Sequence, residues 1–250
     1  MIERESRFEN EPFLAGEILK EGEFGIKELK DNPNKVVRTE NMVGSIDDTI
    51  KHYKNIKARF EAMKSDYGVN VPDMDIVIGK NEEGKECIFM VVDKIEGKDL
   101  DELERLPADA KIKFESFYVR FLQSIFDGYK QQKPFYRDIK TENIMYGHKS
   151  KEKGAEDNFF LTDVGGGFQD GNFIEFHGQF IEVDYSEAFF RSITNARADL
   201  KEYAKKFGND IVLSNIEAKL REIYEFCKNN KQKELRAFFA RDPDAEKEFE

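Results

Sequence analysis

Between Ile46 and Tyr67 the apolar residues fall at Ile46, Ile50, Tyr53, Ile56, Phe60, Met63 and Tyr67. Spacings of three and four mark one face of a helix. Ser45 or Asp47 would cap its start, and Gly68 would end it, because glycine takes the left-handed closing conformation without a Cβ clash. Ahead of this helix the pattern changes. Residues 13–43 carry short runs broken by turn residues: FLAGEILKEG, then EFGIKELK joined to it through Gly22 and Gly25, then the turn DNPN (Asp31–Asn34), then KVVRTENMV. An antiparallel meander is predicted. After the helix, VNVPDMDIVIG and ECIFMVVDKIEG flank the turn NEEG (Asn81–Gly84). The unbroken apolar run from Ile88 to Val92 suits a buried strand.

Five strands and one helix are thus expected before residue 97, and the pattern after it is mainly helical. DLDELERL predicts a short helix. Past Pro107, Ile112, Phe117, Phe121, Ile125 and Phe126 fall on one side of a long helix running to about Lys130. NIMYG and FFLTDV (Phe159–Val164) predict a hairpin around the charged loop HKSKEKGAED. From Ser192 onward ARADLKEYAKKF, IVLSNIEAKLREIYEFCKNN and KELRAFFARD predict further helices. No internal repeat is present. The organisation is a small strand-rich part with one helix, residues 1–96, then a larger helical part, residues 97–250, with a hinge near Asp93–Gly97.

Composition narrows the function classes. A chain of 250 residues with 23 Phe and no Trp can bury a sizeable core without disulfides or metals. The formal charge of −11 argues against broad binding of nucleic acid or acidic membrane, while a local basic cleft for phosphates stays compatible with it. Cys87 and Cys227 form no CxxC pair, and His52, His148 and His177 are scattered, so neither a zinc site nor a disulfide framework is suggested. MIERESRFEN is charged throughout and no run approaches 18 apolar residues, so the expectation is a soluble, cytoplasmic protein with no membrane span.

Candidate chemistry concentrates in YRDIKTEN, Tyr136–Asn143, where an Asp, a Lys and an Asn stand at offsets 0, 2 and 5 behind an Arg. This stretch resembles the catalytic loop of protein kinases, H-R-D-L-x-x-x-N, and TDVGG at 162–166 resembles their metal-binding D-F-G. The order of elements resembles that family across nearly the whole chain. The resemblance implies an α+β, bilobal protein-kinase-like fold with residues 1–96 as N-lobe and a reduced C-lobe over 97–250. It also implies ATP and Mg2+ as cofactors. Phosphoryl transfer requires an aligned acceptor and neutralised phosphate oxygens. By resemblance, Asp138 would orient the acceptor hydroxyl and take its proton, and Lys140 would contact the transferring phosphate, as in serine/threonine kinases. Asn143 and Asp163 would hold magnesium through hard oxygen ligands.

The same resemblance extends less closely elsewhere. LKEGEFGIKEL is similar to the Gly-rich loop, with Lys20 in place of its first Gly and with Gly22, Phe24 and Gly25 left to approach phosphate. In KVVRTE, Arg38 stands where the strand lysine is expected; the planar, permanently charged Arg is not equivalent to Lys, and choline-kinase-like enzymes use Arg there. Lys35 would face the other way on the strand. Glu61 would be the helix partner of Arg38. Asp93 and Ile95 would offer hinge backbone groups to adenine, with their side chains of little consequence. Asp199 in ADLKEYA would brace the catalytic loop. Arg137 could pair with a phosphorylated Tyr185, Ser186 or Ser192.

Tyr136 and Val164 replace the usual His and Phe, and the run Gly165–Arg191 contains no A-P-E. The chain resembles compact bacterial effector kinases, which implies a protein substrate, a host protein among the candidates, and an activating host partner. The acidic tail DPDAEKEFE reads as a solvated terminus, with an export signal toward a host cell as the other reading. Three functions stay open: a Ser/Thr protein kinase, a small-molecule kinase or nucleotidyl transferase on the same fold, and a pseudokinase binding module.

Overall fold

The computed structural model describes residues 7–12, 15–20, 26–29, 32–40, 44–80, 84–107, 109–152, 154–164, 167–176, 179–207 and 213–249, with side chains from 26 onward except 27, 80, 175, 176, 179 and 180. The architecture is α+β, with mainly antiparallel sheets and six helices among the described residues.

The first sheet holds β1 (Arg7–Pro12), β2 (Ala15–Lys20), β3 (Ile26–Leu29), β4 (Asn32–Glu40), β5 (Met74–Lys80) and β6 (Glu86–Asp93), in the order β1-β5-β6-β4-β3-β2. The meander and the β5–β6 pair match the expected pattern. The polar RFENEP was not expected as a strand, and it joins the edge as β1, parallel to β5. β6 is central and buried on both faces, which is why its apolar run is continuous. Its Ile88, Met90 and Val92 join the main core, while Phe89 and Val91 pack with Val37 and Val77 on the opposite face.

Helix α1 (Ile46–Tyr67) links β4 to β5. Ser45 caps it in a reciprocal box: its hydroxyl accepts from the Asp48 amide, and the Asp48 carboxylate accepts from the Ser45 amide. Gly68, at φ 67°, ends it by donating to the Lys64 carbonyl. Tyr53, Ile56, Phe60 and Met63 are buried as the spacing predicts.

A three-stranded sheet follows, ordered β10-β9-β7, from β7 (Ile95–Asp99), β9 (Ile144–Lys149) and β10 (Asn158–Leu161). Gly97 and Gly147 face each other across β7 and β9, and a methyl on either would overlap the opposing backbone. DLDELERL forms turns instead of the expected helix. Leu100 and Leu106 are both buried, and the Leu100 amide donates to the Ile144 carbonyl, so tertiary anchoring outweighs local helix preference.

Helix α2 (Ala110–Lys130) presents Phe117, Phe121, Ile125 and Phe126 to the core, but Ile112 points to solvent with 76% exposure. The run Gly165–Arg191 forms three strands, β11 (Phe168–Asp170), β12 (Phe173–Phe176) and β13 (Gln179–Glu182), which join the two-residue strand β8 (Phe135–Tyr136) in a sheet ordered β13-β12-β11-β8. Asp170 pairs with Phe173 across the two-residue turn Gly171-Asn172, with Gly171 at φ 54°.

Helix α3 (Tyr185–Phe207) starts earlier than Ser192, because the Asp184 carboxylate accepts from the Glu187 amide and the aromatic stripe Tyr185, Phe189, Phe190 extends its buried face. Three more helices, α4 (Ser214–Asn230), α5 (Gln232–Arg241) and α6 (Pro243–Phe249), complete the main core around α2 and α3.

Candidate active site

Helix α2 delivers the chain through a short turn into β8. Tyr136 is buried there to 1% exposure among Phe60 of α1, Phe121 of α2 and Phe168 of β11, at centroid distances of 5.7, 5.8 and 5.5 Å. Four aromatic rings from four elements thus pin the start of the loop. Tyr136 takes more than a packing role, since its hydroxyl donates to the Asp163 carbonyl at 3.3 Å.

The loop beyond it is held from three sides. The Arg137 amide donates to the Gly167 carbonyl at 2.7 Å. Gly167 sits at φ +83°, and a Cβ there would lie 2.9 Å from the Tyr136 ring and 3.2 Å from Asp138 Cβ. Both the conformation and the close approach require glycine. The Asn143 side-chain amide donates to the Asp138 carbonyl at 3.0 Å and to Asp138 Oδ2 at 3.1 Å, closing the one-turn 3-10 helix at Thr141–Asn143. Lys140 Nζ lies 3.0 Å from Asp138 Oδ1. The β9–β10 hairpin then brings Asp163 back, because the Thr162 amide donates to the Asn143 carbonyl at 2.8 Å. The offsets in YRDIKTEN therefore make Asp138, Lys140 and Asn143 one bonded unit beside Asp163.

A cleft of about 450 Å³ is lined by Asn143 and Asp163 of this group. Ile26 and Val36 of the first sheet, Val92, the 93–95 segment and Met145 of β9 line it, and so do Arg38, Asn143, Thr162 and Asp163, which are linked by the Arg38–Asp163 and Thr162–Asn143 contacts. Arg38 and Val36 face inward at a spacing of two, as alternation along β4 dictates. Arg38 Nη1 is 3.4 Å from Asp163 Oδ1, and its Nε is 2.7 Å from Glu40 Oε1. Burial draws the Arg38 guanidinium down, and the carboxylates of Glu40 and Asp163 outweigh this and raise it, so it stays charged.

Glu61 does not meet Arg38: its side chain is 64% exposed and lies 3.8 Å from Lys57, one turn back on α1. The buried Glu40 takes that place. Asp93 is not a bystander side chain, and its amide is already spent on the Asp73 carbonyl at 2.9 Å. Its carboxylate is 1% exposed and gathers Lys35 at 2.6 Å, Lys151 at 2.6 Å and Lys149 at 3.5 Å. Burial pushes that carboxyl up, and the lysines Lys151 and Lys35 overcome this and hold it below the ordinary aspartate range. Ile95 lines the cleft and is paired with Lys149 in the β7–β9 ladder.

Asp199 lies close enough to feel Glu142 and Lys140, but it makes no hydrogen bond to the loop among the described residues. Burial, then Glu202 and Glu142, push its carboxyl up to about 6. The hydroxyls considered for phosphorylation are engaged in packing. Tyr185 donates to the Lys133 carbonyl, Ser186 accepts from Tyr129, and Ser192 is buried against the Ala188 carbonyl. Arg137 reaches Gln169 at 3.5 Å. Gly22, Phe24 and Gly25 lie outside the described residues, as does His177.

The sequence reading missed Glu40, Val36, Met145 and Gly167. The alternation of β4 carried a signal for the first two, and the third glycine of GGG for the last. Among the described residues no three His, Cys, Asp or Glu side chains form a metal cluster, and no helix is long and apolar enough to cross a membrane. No family model matches the chain, and no characterised protein aligns with it.

Proposed function

We propose that this chain is a bilobal, protein-kinase-like phosphotransferase that moves the terminal phosphoryl group of ATP, with Mg2+, to a Ser or Thr hydroxyl of a protein. The observation that carries this reading is that Arg38, Asn143 and Asp163 line one 450 Å³ cleft, with Arg38 3.4 Å from Asp163 and Asp138 bonded to Asn143. That volume suits a nucleotide-sized ligand. A permanent cation and two oxygen donors in the lining, with the Asp138 carboxylate bonded to Asn143, are the groups that phosphoryl transfer needs.

In this reading the first sheet and α1 form the N-lobe, and the remainder forms the C-lobe. Ile26, Val36 and Met145 sandwich the base, and Arg38 faces the phosphates. Asp138, fixed by Asn143, orients the acceptor hydroxyl and takes its proton. Lys140 is 59% exposed, so its ammonium is free to move from Asp138 to a phosphate oxygen.

Asp163 and Asn143 fit a magnesium ion as hard oxygen donors. The Asn143 amide hydrogens are committed to Asp138, which leaves its oxygen for a cation, and Asp163 already draws the Arg38 guanidinium. Two protein ligands suit a metal that completes its shell with phosphates and water. Bound there, the ion would neutralise charge on the phosphates.

A small-molecule acceptor is the second reading. It draws on strands β11, β12 and β13, which occupy the run lacking A-P-E and pair with β8.

Incubation with γ-labelled ATP and Mg2+, with mass spectrometry of the products, tests the proposal. Asp138→Ala and Asp163→Ala are each expected to lower transfer by about 10²–10⁴-fold. Absent label, or label that survives both changes, would overturn it. Label on a small molecule, or transfer from α-labelled ATP, would select the other enzyme readings.

A further inference from the structure

We infer that Glu40 is the residue that positions Arg38 for the nucleotide phosphates, in place of any acid on helix α1; this rests on the reading of the cleft as an ATP site. Arg38 and Glu40 are two apart on β4, so their side chains share one face of the strand. Glu40 is buried to 7% exposure, and its Oε1 takes the Arg38 Nε at 2.7 Å. Tyr53, 3% exposed on α1, lies beside the same carboxylate and favours its charged form. The guanidinium is thus gripped at its stem while its outer nitrogen, Nη1, faces Asp163 at 3.4 Å.

This division of the guanidinium explains why the position holds Arg. A lysine offers one point charge, which cannot bond Glu40 and reach Asp163 together, whereas the planar fork serves both partners with fixed geometry. Two carboxylates, Glu40 and Asp163, share one cation here. When phosphate or a metal ion engages the cleft, the Asp163 contact can be exchanged while the Glu40 contact persists.

The pair also lies within one strand. Movement of α1 therefore does not by itself separate Arg38 from Glu40.

Steady-state transfer and MgATP affinity of the full chain test this, with thermal unfolding of each variant as a folding control. Glu40→Gln is expected to lower kcat/KM for ATP by about tenfold to a hundredfold, consistent with loss of one charge-assisted hydrogen bond. Glu40→Asp should recover part of it, and Glu61→Ala should stay within about twofold of wild type. In an Arg38→Ala background, Glu40→Gln should cost nothing further, because its effect runs through Arg38. A merely structural Glu40 would still lower activity in that background. The inference is overturned if Glu40→Gln stays within twofold of wild type, if Glu61→Ala falls as far, or if the two losses add. A wild type that binds MgATP but transfers nothing would sink the transfer reading alone, and Glu40 would then be judged by the same comparisons made on affinity. Absence of ATP binding would sink both.

Discussion

Replacing Asp93 by Asn keeps the volume of a side chain that is 1% exposed and removes its charge. Three ammonium groups lose a counter-ion within 3.5 Å. Breaking a buried pair by removing one partner costs about 3–5 kcal/mol. Two of these lysines keep a second carboxylate, since Lys149 and Lys151 lie 2.8 and 3.4 Å from Asp73, and Lys151 is 42% exposed and readily solvated. The expected loss is therefore about 2–3 kcal/mol, carried chiefly by Lys35, and for a chain of this size it lowers Tm by roughly 5–10 °C. Urea titration at pH 7 measures it. The pH dependence gives a second arm. A folded carboxyl held below its ordinary range contributes stability that is present above the unfolded value near 3.9 and is lost as pH falls through the folded one. The gap between wild type and Asp93→Asn should thus be complete above about pH 5 and shrink in acid. Adding Lys35→Met should recover part of the loss, as the orphaned ammonium disappears. A change under about 0.5 kcal/mol at pH 7, or a gap that grows in acid, would refute the reasoning.

Two further outcomes follow from the same geometry. Gly167→Ala places a Cβ at φ +83° against the Tyr136 ring, so it should cost about 2–3 kcal/mol from left-handed strain and overlap, read by urea titration; a loss within 0.5 kcal/mol would mean that the β8–β11 contact yields easily. Asp199→Asn should stabilise the chain above pH 6 by about 1–2 kcal/mol, after discounting for partial exposure. The raised carboxyl is a cost that grows as pH rises from about 4 to about 6, so the gain should fade below pH 4, and a gain independent of pH would exclude the desolvation account.

Much of this arrangement was legible along the chain. The periodicity of α1, its Ser45 cap and its Gly68 stop are local, and each was readable because the responsible groups lie within four residues of one another. The unit Asp138-Lys140-Asn143 was legible through its resemblance to the kinase catalytic loop, and its bonds close within one short loop. DLDELERL is not a helix because Leu100 and Leu106 are both buried in the main core and the Leu100 amide bonds the Ile144 carbonyl, and Ile112 is exposed because helical spacing cannot say where a partner surface ends. The hairpin at Asp170–Phe173 did leave a trace, the two-residue turn Gly-Asn, which the glycines before it obscured.

The partner of Arg38 shows the limit most clearly. Sequence alone determined that a strand carries Arg38, that a helix carries Glu61, and that a loop carries Asp138 and Asn143, because backbone preference and apolar alternation act over short distances. It also contained Glu40, two residues from Arg38 on the same strand face. Only the tertiary structure decided between the two glutamates. The choice depends on the rotation of α1, which turns Tyr53 and Phe60 inward and leaves Glu61 in water, and that rotation is set by packing against β6, α2 and Tyr136. The same holds for Asp93, whose three lysines come from two separate stretches of chain. Charge pairing across such separations costs chain entropy that only the assembled core repays, so nothing local could have announced it.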